Sequence, residues 1–420
     1  MNSTGKKALL LGVGLVAAIA AAAQSFVIAN QRRAPARSVA LGMPPVGAAK
    51  ASLSRQLQGV RLAKKPKSVP SALEVRLARE AFAGDPLAVS ALPVLIQSLR
   101  GQGKAVQSRQ LLTLASQLTR RDNLINAMLI DDAMAKDNPE RAVKLLGQAM
   151  TVSYEVRDLY VGRMAAATVS PGALQALPPI LGRNPKWAED YWLAVLANPA
   201  AIPQAAEVRQ RIAGAPWKLD KASESDFRLI VELAARGYPA SAFNLAHALG
   251  LPQPPAGELL TNPGFDRQPR YVPIDWELLQ TGDIGANIEA KEGALLLSSL
   301  PDASGIAARQ IVHLTQPGGY RVQWNMSGLA DRKDATVKLR LSCAERGKGG
   351  TQIAPATLAE GTGSARIEVP ASNCSWYWAT IELDTTAGDA GVDIAIRRLS
   401  LQRAAGAAPK AAAPVSQSTP

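Results

Sequence analysis

The apolar residues of this chain change period once. Between Pro70 and Leu251 they recur three and four residues apart, as on one face of a helix; Leu73, Leu77 and Ala81 within Ser71–Ala83 are one such run. Beyond Leu251-Pro252-Gln253-Pro254-Pro255 they recur at every second residue, in short runs divided by Gly, Pro and Asp. That is the pattern of antiparallel strands with one buried and one polar face. Helical and strand periods do not mix, so the expected fold class is α and β in separate domains. At 420 residues the chain also exceeds one ordinary core.

Ahead of both regions, Lys6-Lys7 precede Ala8 to Ala29, 22 residues without a charge. As a helix this run spans roughly 33 Å, enough for the hydrocarbon core of a bilayer. Ala20 to Ala23 offer small residues for signal-peptide cleavage, but apolar Phe26, Val27 and Ile28 continue past them. The expectation for 1–30 is an uncleaved signal-anchor or transmembrane helix, giving a single membrane span. Arg32, Arg33 and Arg37 against Lys6 and Lys7 argue for a cytoplasmic C-terminus by the positive-inside rule. A short tail with two lysines is instead the usual start of an export signal, and the cysteine pair treated below prefers an oxidising compartment. We therefore expect a single-pass protein of the bacterial inner membrane with its C-terminal domains in the periplasm.

Charge excludes one function class. Of 47 Lys and Arg, eleven lie in residues 1–69, which hold no acid, leaving 36 against 34 Asp and Glu in the rest. A nucleic-acid-binding domain carries its excess on a folded face; here it sits in a leader and in 31–69, an Ala/Pro-rich stretch expected to be a disordered basic linker. No nucleic acid is expected as a partner. Two histidines, His247 and His313, and two cysteines leave little for metal or triad chemistry, so no metal site, cofactor or catalytic residue is expected.

In 70–250, helices of one to four turns are divided by Gly84-Asp85-Pro86, Asn138-Pro139, Asn184-Pro185 and Gly237-Tyr238-Pro239. The stretches Asn138-Pro139-Glu140-Arg141-Ala142-Val143-Lys144-Leu145-Leu146 and Gly237-Tyr238-Pro239-Ala240-Ser241-Ala242-Phe243 resemble tetratricopeptide repeats, with a Pro or Gly entry before Ala and large apolar residues. No strict period survives, so the resemblance implies a degenerate helical solenoid holding a protein partner; the alternative is a packing domain without one. Trp187, Tyr191 and Trp192 are expected in its core, with a recognition box as the alternative, and His247 is expected to be a helix residue with a satisfied ring.

In 257–403, Leu259-Leu260-Thr261-Asn262-Pro263-Gly264-Phe265-Asp266, Pro273-Ile274-Asp275-Trp276 and Pro317-Gly318-Gly319-Tyr320-Arg321-Val322-Gln323-Trp324 resemble galactose-binding-like jelly rolls of the carbohydrate-binding-module kind. The resemblance implies an antiparallel β-sandwich, with a polysaccharide as candidate ligand. Cys343 and Cys374 flank strands; they are expected to form a disulfide if the chain is exported, and to be buried thiols otherwise. Residues 404–420 are expected to be a disordered tail.

The strand after Cys374 puts Tyr377, Ala379, Ile381 and Leu383 on one face and Trp376, Trp378, Thr380, Glu382 and Asp384 on the other. Indoles stack on sugar C–H faces while carboxylates accept from hydroxyls, so Trp376, Trp378 and Glu382 are glycan-binding candidates. Arg321, Gln323 and Asn325, on the polar side of another strand, join them. In an equally weighted alternative the tryptophans pack beneath a loop or against the helical domain. The leading expectation is a membrane-anchored, non-catalytic envelope scaffold that combines the solenoid with a glycan-binding sandwich, as in exopolysaccharide or cell-wall assembly. A pure protein-interaction subunit is the alternative, and a glycan-cleaving enzyme using Glu382 and Asp384 ranks third.

Overall fold

The computed structural model describes residues 3–44, 46–66, 68–152, 156–330, 332–348, 353–386 and 390–404. The chain divides into two compact units, Met1–Tyr160 and Val161–Pro420.

The first unit is helical: α1 (Ser3–Asn30), α2 (Pro35–Leu41), α3 (Gly47–Lys64), α4 (Ala72–Gly84), α5 (Leu92–Gly101), α6 (Ala105–Leu118), α7 (Asn123–Ala135) and α8 (Pro139–Val152), leading into α9 (Arg157–Ala167). In α1, Leu11–Asn30 is long and apolar enough to cross a membrane, a property that signal sequences share. The stretch 31–69, expected to be a disordered linker, instead holds α2 and α3. Small apolar contacts, Ala51 with Ala78 and Ala81, and polar bonds explain the difference. Ser54 on α3 donates to the Glu74 carbonyl at 2.9 Å, and the buried Glu74 carboxylate accepts from Arg61 Nε at 2.9 Å. Glu74 also closes a capping box with Ser71, fixing the start of α4. Much of the basic charge of 31–69 therefore sits on folded helices. Consecutive helices pack in pairs, α3 with α4, α5 with α6 and α7 with α8, and Pro139 opens α8 where the missing N–H costs nothing.

The second unit begins with α10 (Ala173–Ala176), α11 (Pro178–Leu181), α12 (Ala188–Leu196), α13 (Ile202–Ala213), α14 (Glu224–Ala235) and α15 (Pro239–Ala248). Trp187, Tyr191 and Trp192 are buried there, and His247 Nδ1 lies 3.0 Å from the Leu251 carbonyl. Among the described residues ten strands follow: β1 (Glu277–Leu278), β2 (Ile284–Glu289), β3 (Ala294–Ser299), β4 (Ser304–His313), β5 (Gly318–Ser327), β6 (Thr336–Cys343), β7 (Ala356–Leu358), β8 (Gly361–Val369), β9 (Trp376–Asp384) and β10 (Val392–Arg403). They form two five-stranded antiparallel sheets, sheet I in the order β1-β4-β9-β6-β7 and sheet II in the order β2-β3-β10-β5-β8.

One apolar core takes alternate residues from both sheets: Val337, Leu339, Ala379 and Ile381 from sheet I, and Val322, Trp324, Ile394 and Ile396 from sheet II. Trp276 and Phe265, fully buried, close one side of it with ring centroids 5.7 Å apart. The buried Glu258 carboxylate ties the chain entry to β10, accepting from Leu401 N at 2.8 Å and Ser400 Oγ at 2.5 Å. Cys343 and Cys374 are joined, with Cα atoms 6.0 Å apart. Of the expected tail 404–420, all but Ala404 lies outside the described residues.

Candidate functional site

On β9, Tyr377, Ala379, Ile381 and Leu383 point into the core, which turns Trp376, Trp378, Thr380 and Glu382 to the outer face of sheet I. Helices cover one end of that face. Trp376 is 8% exposed and belongs to a second apolar cluster with Leu245, Ala246 and Leu249 around α15, and with Ile311 on β4. Its ring lies 5.0 Å from that of Phe243 and stacks on His313 at 4.2 Å with 11° between the planes. Trp378, half-buried, packs at the margin of the same cluster, and the Arg309 guanidinium sits 4.3 Å from its ring centre. Arg309 is itself held by Glu277 at 2.5 Å. Both indoles thus have protein partners.

Two further arrangements bear on the expected site. Arg340 on β6 holds Glu382 by two bonds, Nε to Oε1 at 2.6 Å and Nη2 to Oε2 at 3.0 Å. The Asp384 carboxyl is held below its ordinary pKa because it accepts from the Thr386 hydroxyl and backbone N–H. Arg321, Gln323 and Asn325 lie on β5, in sheet II, and their strand neighbours Tyr320, Val322 and Trp324 point into the shared core. The six glycan candidates therefore fall into two groups of three on opposite outer faces, and the structure does not bring them into one groove.

Among the described residues, the outer face of sheet II is open. Across it the register sets Asn287, Leu296, Ala395 and Ser327 side by side, with Gly285, Ser298 and Asp393 in the next row. These residues line a groove of about 510 Å³. Leu296 is 37% exposed on its floor, flanked by amide, hydroxyl and carboxylate groups. Gly328, at φ +113°, closes one end; a Cβ there would stand 2.3 Å from the Asp393 carbonyl oxygen, so only glycine lets the two chains approach this closely. Asn325 lies next along the same face of β5, paired with Arg398 and Thr362. On β10, Val392, Ile394 and Ile396 fill the buried face, which sends Asp393 and Ala395 outward. The sequence pattern singles out neither, because small residues on a strand carry no signature of their own.

No family model matches this sequence, and no curated protein matches it. Among solved structures, the chain is similar to the CBM61 carbohydrate-binding module solved in complex with β-1,4-galactotriose, at 19% identity and TM-score 0.25, over 35% of this chain and 99% of that one. It is also similar to a CBM4 module, at 12% identity and TM-score 0.26, over 34% of this chain and 99% of that one. An arabinose-bound GH51 α-L-arabinofuranosidase matches at 15% identity and TM-score 0.26, over 35% of this chain and 26% of that one. TM-scores this low carry neither fold nor ligand from those proteins to this chain.

Proposed function

We propose that this is a membrane-anchored, non-catalytic envelope protein that binds a glycan chain along the outer face of sheet II. The groove of about 510 Å³ carries the reading: an apolar strip of Leu296 and Ala395 between Asn287, Ser298, Ser327 and Asp393. Sugars present C–H faces and hydroxyls in alternation, and this floor offers a matching alternation of apolar and hydrogen-bonding groups. Arg321, Gln323 and Asn325 extend the polar face along β5. Trp376, Trp378 and Glu382 hold the fold together in this account.

The non-catalytic part is supported by the chemistry of the two carboxylates. Glycoside hydrolysis needs an acid whose pKa is raised. Hydrogen bonds from Thr386 instead push Asp384 down, and both Glu382 oxygens are already engaged by Arg340. Insertion of α1 in a bacterial inner membrane, with the joined cysteines in the periplasm, fits an oxidising compartment. The helical region would hold a protein partner, in a machine that assembles exopolysaccharide or cell wall. A second reading, a protein-interaction subunit with no glycan ligand, is favoured by the covering of sheet I by α15, since there a sheet face serves packing alone.

An oligosaccharide array probed with the full chain in detergent separates the two. Glycan binding that is weakened in Asn287→Ala and Asp393→Ala supports the first reading; no signal on any glycan supports the second.

A further inference from the structure

The first unit contains a cavity of about 660 Å³ built from four chain segments. Residues 31–32 follow directly on α1. One face of α3 supplies Ser52 and Arg55. The loop before α5 supplies Ser90, and the break between α6 and α7 supplies Thr119 and Arg121. Three guanidinium groups, from Arg32, Arg55 and Arg121, and three hydroxyls thus face one space.

The charges are unevenly matched. Arg55 Nη2 meets Asp122 at 3.1 Å, the one carboxylate in the lining among the described residues. That same Asp122 oxygen accepts from the N–H groups of Leu124 and Ile125, so its charge is shared with the start of α7. Arg55 Nη1 is buried and has no hydrogen-bond partner among the described residues. A buried guanidinium donor left unpaired costs free energy, and an anionic oxygen in the cavity would recover it. Arg32 and Arg121 are exposed and, among the described residues, have no carboxylate partner.

We infer that this cavity binds a phosphate group, and that its source is the headgroup of an anionic phospholipid. Guanidinium forks match phosphate oxygens in pairs, and hydroxyls take up the remaining acceptors. The lipid source follows from connectivity. Arg32 stands two residues beyond Asn30, where the apolar span ends, so the cavity sits at the depth of the headgroups. Leu87, also in the lining, is 82% exposed and gives an acyl chain an apolar contact beside the charged cluster. This inference rests on the membrane-anchored reading, not on the glycan groove.

The test uses full-length protein in nanodiscs of phosphatidylcholine, with or without phosphatidylglycerol, and counts retained lipid by native mass spectrometry after extraction. The wild type should retain phosphatidylglycerol in preference to phosphatidylcholine. Arg55→Gln combined with Arg121→Gln should lower that retention about tenfold or more. Arg32→Gln with Arg121→Gln changes only exposed side chains, leaves the Arg55–Asp122 pair in place, and should lower it in the same direction. No preference in the wild type, or a preference unchanged in both variants, overturns the pocket. Displacement of the lipid by inorganic phosphate alone assigns the site to free phosphate and overturns the lipid source. Carbonate washing of the same membranes reports on the anchor: protein that washes off refutes anchoring and the lipid source with it. Protein that stays but shows no lipid preference refutes the pocket alone.

Discussion

The two outer faces of the β-domain come from the same alternating pattern and meet opposite fates. On sheet I, the residues that alternate with the core include Trp376, Trp378, Ile311 and His313, and α15 packs on that end. On sheet II they include Asn287, Ser298, Ser327, Asp393 and Asn325, and among the described residues the face is open. A period of two states which residues leave the core, not what they then meet. Size and polarity decide that: large aromatics turned outward are costly in water and recruit a partner within the chain, whereas small polar groups need none.

This contrast predicts a graded series of effects. The largest belongs to Trp376. Truncation to Ala removes a wedge held by Phe243 and His313 and should cost about 3–5 kcal/mol, as large core truncations do; urea unfolding of the full chain in detergent measures it. A cost below about 1 kcal/mol would return Trp376 to the surface and break the contrast. Next comes the bridge from Cys343 to Cys374, which joins β6 to the turn before β9. With a sequence separation of 31, its loss in a Cys343→Ala, Cys374→Ala variant should cost about 3–4 kcal/mol on the chain-entropy account. Equal midpoints for the two proteins would show that the bridge constrains nothing.

How much of this was legible beforehand varies from element to element. The assignment of β9 residues to two faces follows from alternation alone, since Tyr377, Ala379, Ile381 and Leu383 leave no other buried side. The Cys343–Cys374 pairing was equally visible from two cysteines flanking strands. The partner of Trp376 was not, because Phe243 belongs to a helix far away in the sequence and no local pattern links the two. The separation of Arg321, Gln323 and Asn325 from the tryptophans depends on which sheet each strand joins, and strand order is a long-range property. The stretch 31–69 misled for another reason. Its ordering rests on Ala51, a small residue packed against Ala78 and Ala81, and on Ser54, Arg61 and Glu74, polar residues whose bonds a hydropathy pattern cannot register.

A smaller effect concerns pH. Burial holds both His247 and His313 below the ordinary imidazole value. The folded state therefore binds their protons less readily than the unfolded chain, so their contribution is present above about pH 6.5 and is lost as pH falls below it. The urea midpoint should drop between about pH 7 and pH 5, and a His247→Gln, His313→Gln variant should show a flatter profile. An identical profile in the variant would detach the histidines from the packing of α15 on sheet I.

The most direct measurement compares the two faces in one assay, with array binding and urea midpoint determined for Asp393→Ala, Asn287→Ala and Trp376→Phe. The two sheet II variants should unfold within about 0.5 kcal/mol of wild type, as surface substitutions do. They should also lose about 0.5–1.5 kcal/mol of glycan affinity for each hydrogen bond removed. Trp376→Phe should lose stability and keep its affinity. If Trp376→Phe abolishes binding at full stability while the sheet II variants bind as wild type does, the glycan face is on sheet I and the central claim is wrong.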